Sequence, residues 1–182
     1  MRPVTFVINI SLDGYCDHTV FSPGEGMMDY FTSTMDDVDL LFYGRVMYQL
    51  MFPYWSDVSK NQSGSPAENR FADRVTSIEK IVVSSTLTSA GENTQIIRSS
   101  PATKLRDLKQ QAGGKISVDS VSMLPELITA GLIDEFHLVV HPLIAGKGRR
   151  LMEADSLKDV LHLKLADVKT FDSGCLALHF VK

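Results

Sequence analysis

Residues 115–124 read KISVDSVSML. Ile116 and Val118 mark a buried strand, and the residues after Ser122 enter a helix. Pro125 limits where that helix begins. It has no N–H and its ring clashes one turn back, so the helix starts within about three residues before it. Ser122 is then the natural N-cap, its hydroxyl accepting from the Leu124 N–H. The turn between, Asp119-Ser120-Val121-Ser122, has no glycine. Such turns often hold a phosphate on free N–H groups of the helix start, here those of Val121, Ser122 and Met123. On these residues alone two readings stand: a phosphate site, and a capped helix without a ligand.

The same strand-then-helix unit recurs on the N-terminal side. Val4 to Ile10 reads as a strand with Val4, Phe6, Ile8 and Ile10 on one face. Asp13-Gly14 signals a turn. Met27, Phe31, Met35 and Val38 recur at helical spacing over Gly26 to Val38. DLLFYG is a short strand ending at Gly44, and RVMYQLM fits a short helix. SKNQSGSP is a polar loop, and Pro66 suits the first turn of the next helix. There Phe71, Val75 and Ile78 form an inward stripe. KIVVSS is a continuous apolar run, as expected of a strand covered on both faces. Ser100-Pro101 opens another helix with Leu105 and Leu108 inward. The helix after KISVD ends near Ala130-Gly131.

The last third changes character. EFHLVVHPLIAG is strand-like, and LHLKLADV and CLALHFV alternate strictly with FDSG between them. Alternation predicts half-buried strands in an antiparallel hairpin. Helices separate the early strands and a hairpin joins the late ones. The order predicts an α/β fold of three layers. A central mixed sheet, mostly parallel with C-terminal antiparallel strands, is flanked by helices on both faces.

The chain has 182 residues, 44% of them hydrophobic. That suits one core, and we read residues 1–182 as a single domain. A formal net charge of −4 gives no general grip on nucleic acid. Cys16 and Cys175 fit no metal-ligand spacing and read as reduced thiols. No run approaches membrane length, and the N-terminal apolar run is too short for a signal peptide. The expectation is a soluble cytoplasmic protein.

Six motifs in order, SLDGY, LLFYGRVMY, FADRVTSIEKIVVSSTL, GGKISVDSVSML, AGLIDEFHLVVHPLIAGKGRRLM and TFDSGCLALHFV, resemble the dihydrofolate-reductase-like family. The nearest branch contains the reductase domain of riboflavin biosynthesis and its stand-alone relatives. The resemblance covers nearly the whole chain. It implies an NADPH site at the carboxyl ends of the central strands, and commonly a homodimer. The zinc deaminase that accompanies this reductase in the bifunctional enzyme needs a His/Cys-Glu pair and Pro-Cys-x-x-Cys, which are missing here.

Candidate residues follow from both sources. Gly44 ends a strand, and Arg45 is a permanent cation with a planar fork suited to phosphate. Gly44-Arg45-Val46 resembles the family's glycine-arginine pair at the adenosine end of NADPH. A plain surface arginine is the alternative. Ser84, Ser85 and Thr86 resemble a serine/threonine turn under the adenosine phosphates. The family often has a basic residue where Ser85 stands, which leaves NADH open beside NADPH. Relatives usually carry glycine in the turn at Asp119-Ser120-Val121-Ser122-Met123, often where Asp119 stands. A carboxylate there opposes a pyrophosphate unless it points away. Hydride transfer needs no side-chain nucleophile, because the cofactor carries the hydride.

For proton delivery, Asp29 resembles in placement the acidic residue of true dihydrofolate reductases. A dipole-favoured surface carboxylate is its alternative. Asp13 is first a turn former and second a substrate contact. Lys147, in the basic loop Gly146 to Arg150, would meet a phosphorylated substrate, with a plain solvated loop as the equal alternative. Trp55 and Phe52 would stack on a flat heterocycle, with core packing the default for Phe52. His137 and His141 lie four apart on a strand, roughly 13 Å, and cannot share a metal. His141 would border the pocket. No metal site is expected. The resulting expectation is an NAD(P)H-dependent reductase of a pteridine- or pyrimidine-type heterocycle, with dihydrofolate reduction and reduction of 5-amino-6-(5-phosphoribosylamino)uracil as patterns. The rival is a nucleotide-binding module of the same fold without catalysis.

Overall fold

The computed structural model of the chain describes residues 1–21 and 24–182. An eight-stranded sheet has the order β4-β3-β2-β5-β1-β6-β8-β7. Its strands are β1 (Val4–Ser11), β2 (Val38–Gly44), β3 (Glu79–Val83), β4 (Thr94–Ile97), β5 (Lys115–Asp119), β6 (Glu135–His141), β7 (Lys164–Thr170) and β8 (Leu176–Val181). The first six are parallel; β8 runs antiparallel to β6 and to β7. The helices are α1 (Glu25–Ser33), α2 (Arg45–Asn61), α3 (Pro66–Ser77), α4 (Pro101–Lys109) and α5 (Leu124–Thr129).

Strand parity decides the layers. Phe6, Phe42, Ile116 and Val118 face α4 and α5, against Leu105, Leu124 and Leu127. Leu41, Tyr43 and Val82 face the other way, against α1, α2 and α3. Both sheet faces are therefore covered, as the apolar runs of the central strands require. The layers and the mixed sheet agree with the sequence reading.

Several elements differ from it. α1 ends at Ser33, and Val38 opens β2 instead of closing a helix. The hydroxyls of Thr32, Ser33 and Thr34 donate back to carbonyls three or four residues earlier, competing with helix continuation. α2 is 17 residues long and runs through Pro53 into the stretch read as a polar loop. Its face of Tyr48, Phe52 and Trp55 packs on α3 and β2, Val58 is buried beyond them, and this burial outweighs the hydrogen bond lost at proline. The four-residue edge strand β4 is an addition, pairing parallel with β3. β7, expected to be half-buried, is exposed at all seven residues.

The helix after β5 also begins later than expected. α5 starts at Leu124, and the Leu124 N–H donates to the Val121 carbonyl, not to Ser122. Ser122 is therefore no cap. Its hydroxyl meets that of Ser120 at 3.2 Å.

Candidate active site at the carboxyl edge

A cavity of about 470 Å³ opens at the carboxyl ends of β1, β2 and β5. α1 contributes Met28 and Phe31, the turn after it Met35, and α2 contributes Met47, Met51 and Trp55. Asn9, Tyr43 and Asp119 reach it from the sheet. Trp55 lies edge-on to Phe71 with centroids 4.7 Å apart, so its ring is held as a wall. Trp55 lines the cavity. Phe52 instead stacks on Tyr48 at 5.2 Å, the core role.

Asp119 is the single carboxylate among the described residues lining this cavity. β5 runs through it, so its side chain shares the face of Ser117 and opposes Ile116 and Val118. Its remaining accessible surface opens into the apolar cavity, which solvates a charge poorly. Burial pushes its pKa up to about 7, against a smaller lowering by the Ser117 hydroxyl. Tyr43, its neighbour across the ladder, is also raised, by burial first and then by Asp119 and Tyr48. The expectation that Asp119 stands at the phosphate turn is thus corrected. It ends the strand and faces the cavity, and the turn proper is Ser120 to Met123.

Asp29 does not reach the cavity. It sits on the outer face of α1, half exposed, and pairs with Arg70 of α3. The proton-donor expectation for it is withdrawn on that geometry. Asp13 is also claimed elsewhere. Its carboxylate accepts from the Ser11 hydroxyl and from the N–H groups of Ala145 and Gly146. Those contacts, the Ser11 hydroxyl foremost, hold its pKa down to about 2 against a smaller opposing burial effect. Asp13 therefore pins the loop after β6 to the turn after β1, and is no substrate contact. Lys147 is exposed on that loop and does not line the cavity.

Beside the cavity, three turns meet on adjacent strands. Gly44 precedes α2, Ser84–Thr86 follow β3, and Ser120–Ser122 follow β5; the strand order β3-β2-β5 sets them side by side. A Cβ at Gly44 would collide with the Ser120 hydroxyl, so glycine is what lets two of these turns touch. α2 has no side-chain cap, and its first N–H groups are available. Arg45 and Val46 are exposed there, with one Arg45 nitrogen donating to Gln49 at 2.8 Å. Ser85, Thr86 and Ser122 are exposed, and Val121 partly so. Ser84 is buried and accepts from the N–H groups of Thr86 and Leu87, so it shapes its turn. Ser120 and Met123 are buried as well.

His141 does not line the cavity but supports a residue that does. It is buried, and its Nε2 meets Asn9 Oδ1 at 2.9 Å, which orients a cavity residue. Its Nδ1 lies 3.4 Å from Cys175 Sγ. Both cysteines are free. Among the described residues, no helix is long and apolar enough to cross a membrane.

The sequence reading missed the methionine-rich walls and the direction of Asp119. Two signals were present. Met27, Met28 and Met35, and Met47 and Met51, flank the first helix pair. Strand parity with Ile116 and Val118 also sends Asp119 to the opposite face.

Comparison with known proteins bears on this arrangement. The model of the RibD C-terminal domain family matches residues 2–177. An uncharacterized Bacillus subtilis protein, YyaP, is 26% identical over 185 residues, covering 97% of this chain and 93% of its own. A putative riboflavin biosynthesis protein from Shewanella superposes with a TM-score of 0.69 at 20% identity, covering 100% of this chain and 98% of that one. A pyrimidine reductase-like protein from Corynebacterium diphtheriae gives 0.65 at 11%, covering 99% and 91%. Dihydrofolate reductase from Enterococcus faecalis, solved with NADP(H), gives 0.64 at 12%, covering 98% and 95%. These structures share the fold with this chain.

Proposed function

This chain belongs to the RibD C-terminal domain family, and we propose that it is an NAD(P)H-dependent reductase of a small, flat heterocycle. The observation that carries the reading is Asp119: a carboxyl group held near neutrality in an apolar cavity at the carboxyl edge, next to three ligand-ready turns. Reducing a C=N or C=C bond requires a hydride and a proton. NADPH, or NADH, supplies the hydride when bound. The residues present fit the nucleotide. Arg45, the first N–H groups of α2, Ser85, Thr86 and the turn Ser120–Ser122 offer donors to its phosphates. Asp119, its pKa raised by burial to about 7, gives its proton to the substrate atom that gains charge. Trp55, Phe31 and the methionines exclude water and stack on the ring.

The second reading, a nucleotide-binding module without catalysis, has one observation in its favour. The Ser120 side chain fills the space beside Gly44 that a glycine turn would leave for a ligand.

The protein is further proposed to act as a homodimer in the cytoplasm. β7 supports the dimer, because it leaves both faces and an edge uncovered, with Leu165 and Val168 about half exposed. Light scattering at micromolar concentration tests it, and a monomer would refute it.

The central test is fluorescence titration with NADPH and NADH, then a screen of pteridines and pyrimidines at the nicotinamide absorbance. Binding plus turnover supports the reductase. Binding without turnover across the screen favours the module. Binding of neither nucleotide overturns both.

A further inference from the structure

Away from the carboxyl edge, the ladder between β6 and β8 sets His137 directly opposite His179. Their rings stack with centroids 4.1 Å apart and planes 9° apart. Both Nε2 atoms approach one carboxylate oxygen, Glu135 Oε2, at 3.7 and 3.6 Å. The three potential ligand atoms lie within 4.8 Å of one another. Bonds of about 2.0–2.2 Å from two imidazoles and a carboxylate to a tetrahedral ion separate the ligand atoms by about 3.4 Å. The observed spacing is within a few tenths of an ångström of that for two of the three pairs.

Two buried side-chain atoms among the described residues lack a hydrogen-bond partner, and both border this cluster. One is His179 Nε2 itself. The other is Thr5 Oγ1, on the β1 residue paired with Glu135. Buried polar groups are normally satisfied, so two orphans in one place point to something bound there. The outer contacts also suit a metal. Tyr30 of α1 meets His137 Nδ1 at 2.9 Å, which leaves Nε2 as the ligand atom and fixes the ring.

We propose that Glu135, His137 and His179 form a binding site for a divalent transition metal of the zinc type. The nearly parallel rings converge on it when His179 turns about its soft ring torsion. A fourth position stays open to water. The site ties the C-terminal hairpin to the parallel body, and His137 lies beside Val7 of the cavity wall. Lys115 opposes the ion, donating to Glu135 Oε2 at 3.0 Å. It must swing aside for the ion to bind.

Chelator-treated protein titrated with Zn²⁺ by calorimetry, and with Co²⁺ by visible absorption, tests the site. One equivalent bound, a tetrahedral Co²⁺ spectrum and a thermal midpoint several degrees higher are expected. His179→Ala and Glu135→Gln should each weaken binding at least tenfold. Lys115→Met, which frees Glu135, should tighten it severalfold. It keeps the test decisive if the other variants fail to fold. Wild type that binds no Zn²⁺, or binds it as tightly after His179→Ala, overturns the proposal. So does unchanged affinity in Lys115→Met.

Discussion

The two ends of the sheet handle charge in opposite ways. At the amino ends lies a broad groove of about 990 Å³, rich in ionic side chains such as Arg2, Asp36, Asp39, Arg74 and Lys104. Several of these are already engaged. Arg2 pairs with Asp39. Arg74 donates to the carbonyls of Met35, Asp36 and Val38. Buried Lys80 donates to the carbonyls of Thr76 and Ile78 at the end of α3, and burial pushes its pKa down to about 8. At the carboxyl ends the cavity is half that size and apolar, and Asp119, its single carboxyl group among the described residues, forms no ion pair with any of them. Charge that closes the backbone is structural. Charge left without a partner in a dry cavity is available for chemistry.

The largest effect that would break this contrast concerns Asp119. If its proton completes the reduction, Asp119→Asn should lower turnover by about 10²–10⁴-fold, with NADPH affinity nearly unchanged. Steady-state kinetics on a substrate found by the screen measures it; a loss below tenfold would remove Asp119 as the acid.

The same residue makes a stability prediction that needs no substrate. Its folded pKa of about 7 lies above the unfolded value of about 3.8. Between these the native state binds more protons than the unfolded one, so stability falls as pH rises. The decline should begin near pH 4 and level off above pH 7, amounting to a few kcal/mol at most. Asp119→Asn should flatten that part of the profile and be more stable than wild type at pH 8. Urea melts from pH 4 to 8 decide it. Because His137, lowered to about 4 by burial, adds a rise in the same window, the deciding quantity is wild type minus Asp119→Asn; a difference that rises with pH would place the carboxylate in contact with a cation or with bulk water.

At the amino end the expectation reverses. Arg74→Ala leaves three carbonyls short of a donor at the junction of α1 and β2. It should cost about 2–3 kcal/mol of stability, as for charged hydrogen bonds, and leave nucleotide affinity alone. Chemical denaturation alongside NADPH titration checks both halves.

Arg45→Ala sharpens the contrast from the other side. Arg45 is exposed and its single internal partner is Gln49, so stability should barely change. NADPH should bind about tenfold more weakly, roughly 1.4 kcal/mol, and NADH much less so. Equal losses for both nucleotides would move the 2′-phosphate elsewhere.

How far the sequence showed this contrast depends on the range of each interaction. Strands with clear parity, such as Val4–Ser11 and Leu176–Val181, could be read locally. β4 could not, because four residues on an edge carry too little pattern. The length of α2 was hidden because packing on α3 overrides Pro53, and no local rule contains that packing. Asp29 and Asp119 are alike as letters. Only burial separates them, one paired with Arg70 in solvent and one facing a cavity. The Glu135–His137–His179 cluster needs the β6–β8 register, which joins residues more than 40 positions apart.

The smallest effect belongs to Ser122, and it tests where the carboxyl-edge turn ends and α5 begins. A serine that caps a helix costs about 1 kcal/mol when replaced by alanine. Here the hydroxyl is exposed and meets Ser120, while the Leu124 N–H is satisfied by the Val121 carbonyl. Ser122→Ala should therefore change stability by less than about 0.5 kcal/mol, as at an ordinary surface position. Its effect should fall on the ligand. A hydroxyl free of helix duty can donate to a phosphate, so NADPH binding should weaken by about 0.5–1.5 kcal/mol, the net value of one hydrogen bond. Thermal melts with and without NADPH read both quantities in one experiment. A loss of 1 kcal/mol or more without nucleotide would mean the helix starts at Ser122. In that case the turn would be a cap, and the ligand-ready surface would shrink to the turns after β2 and β3.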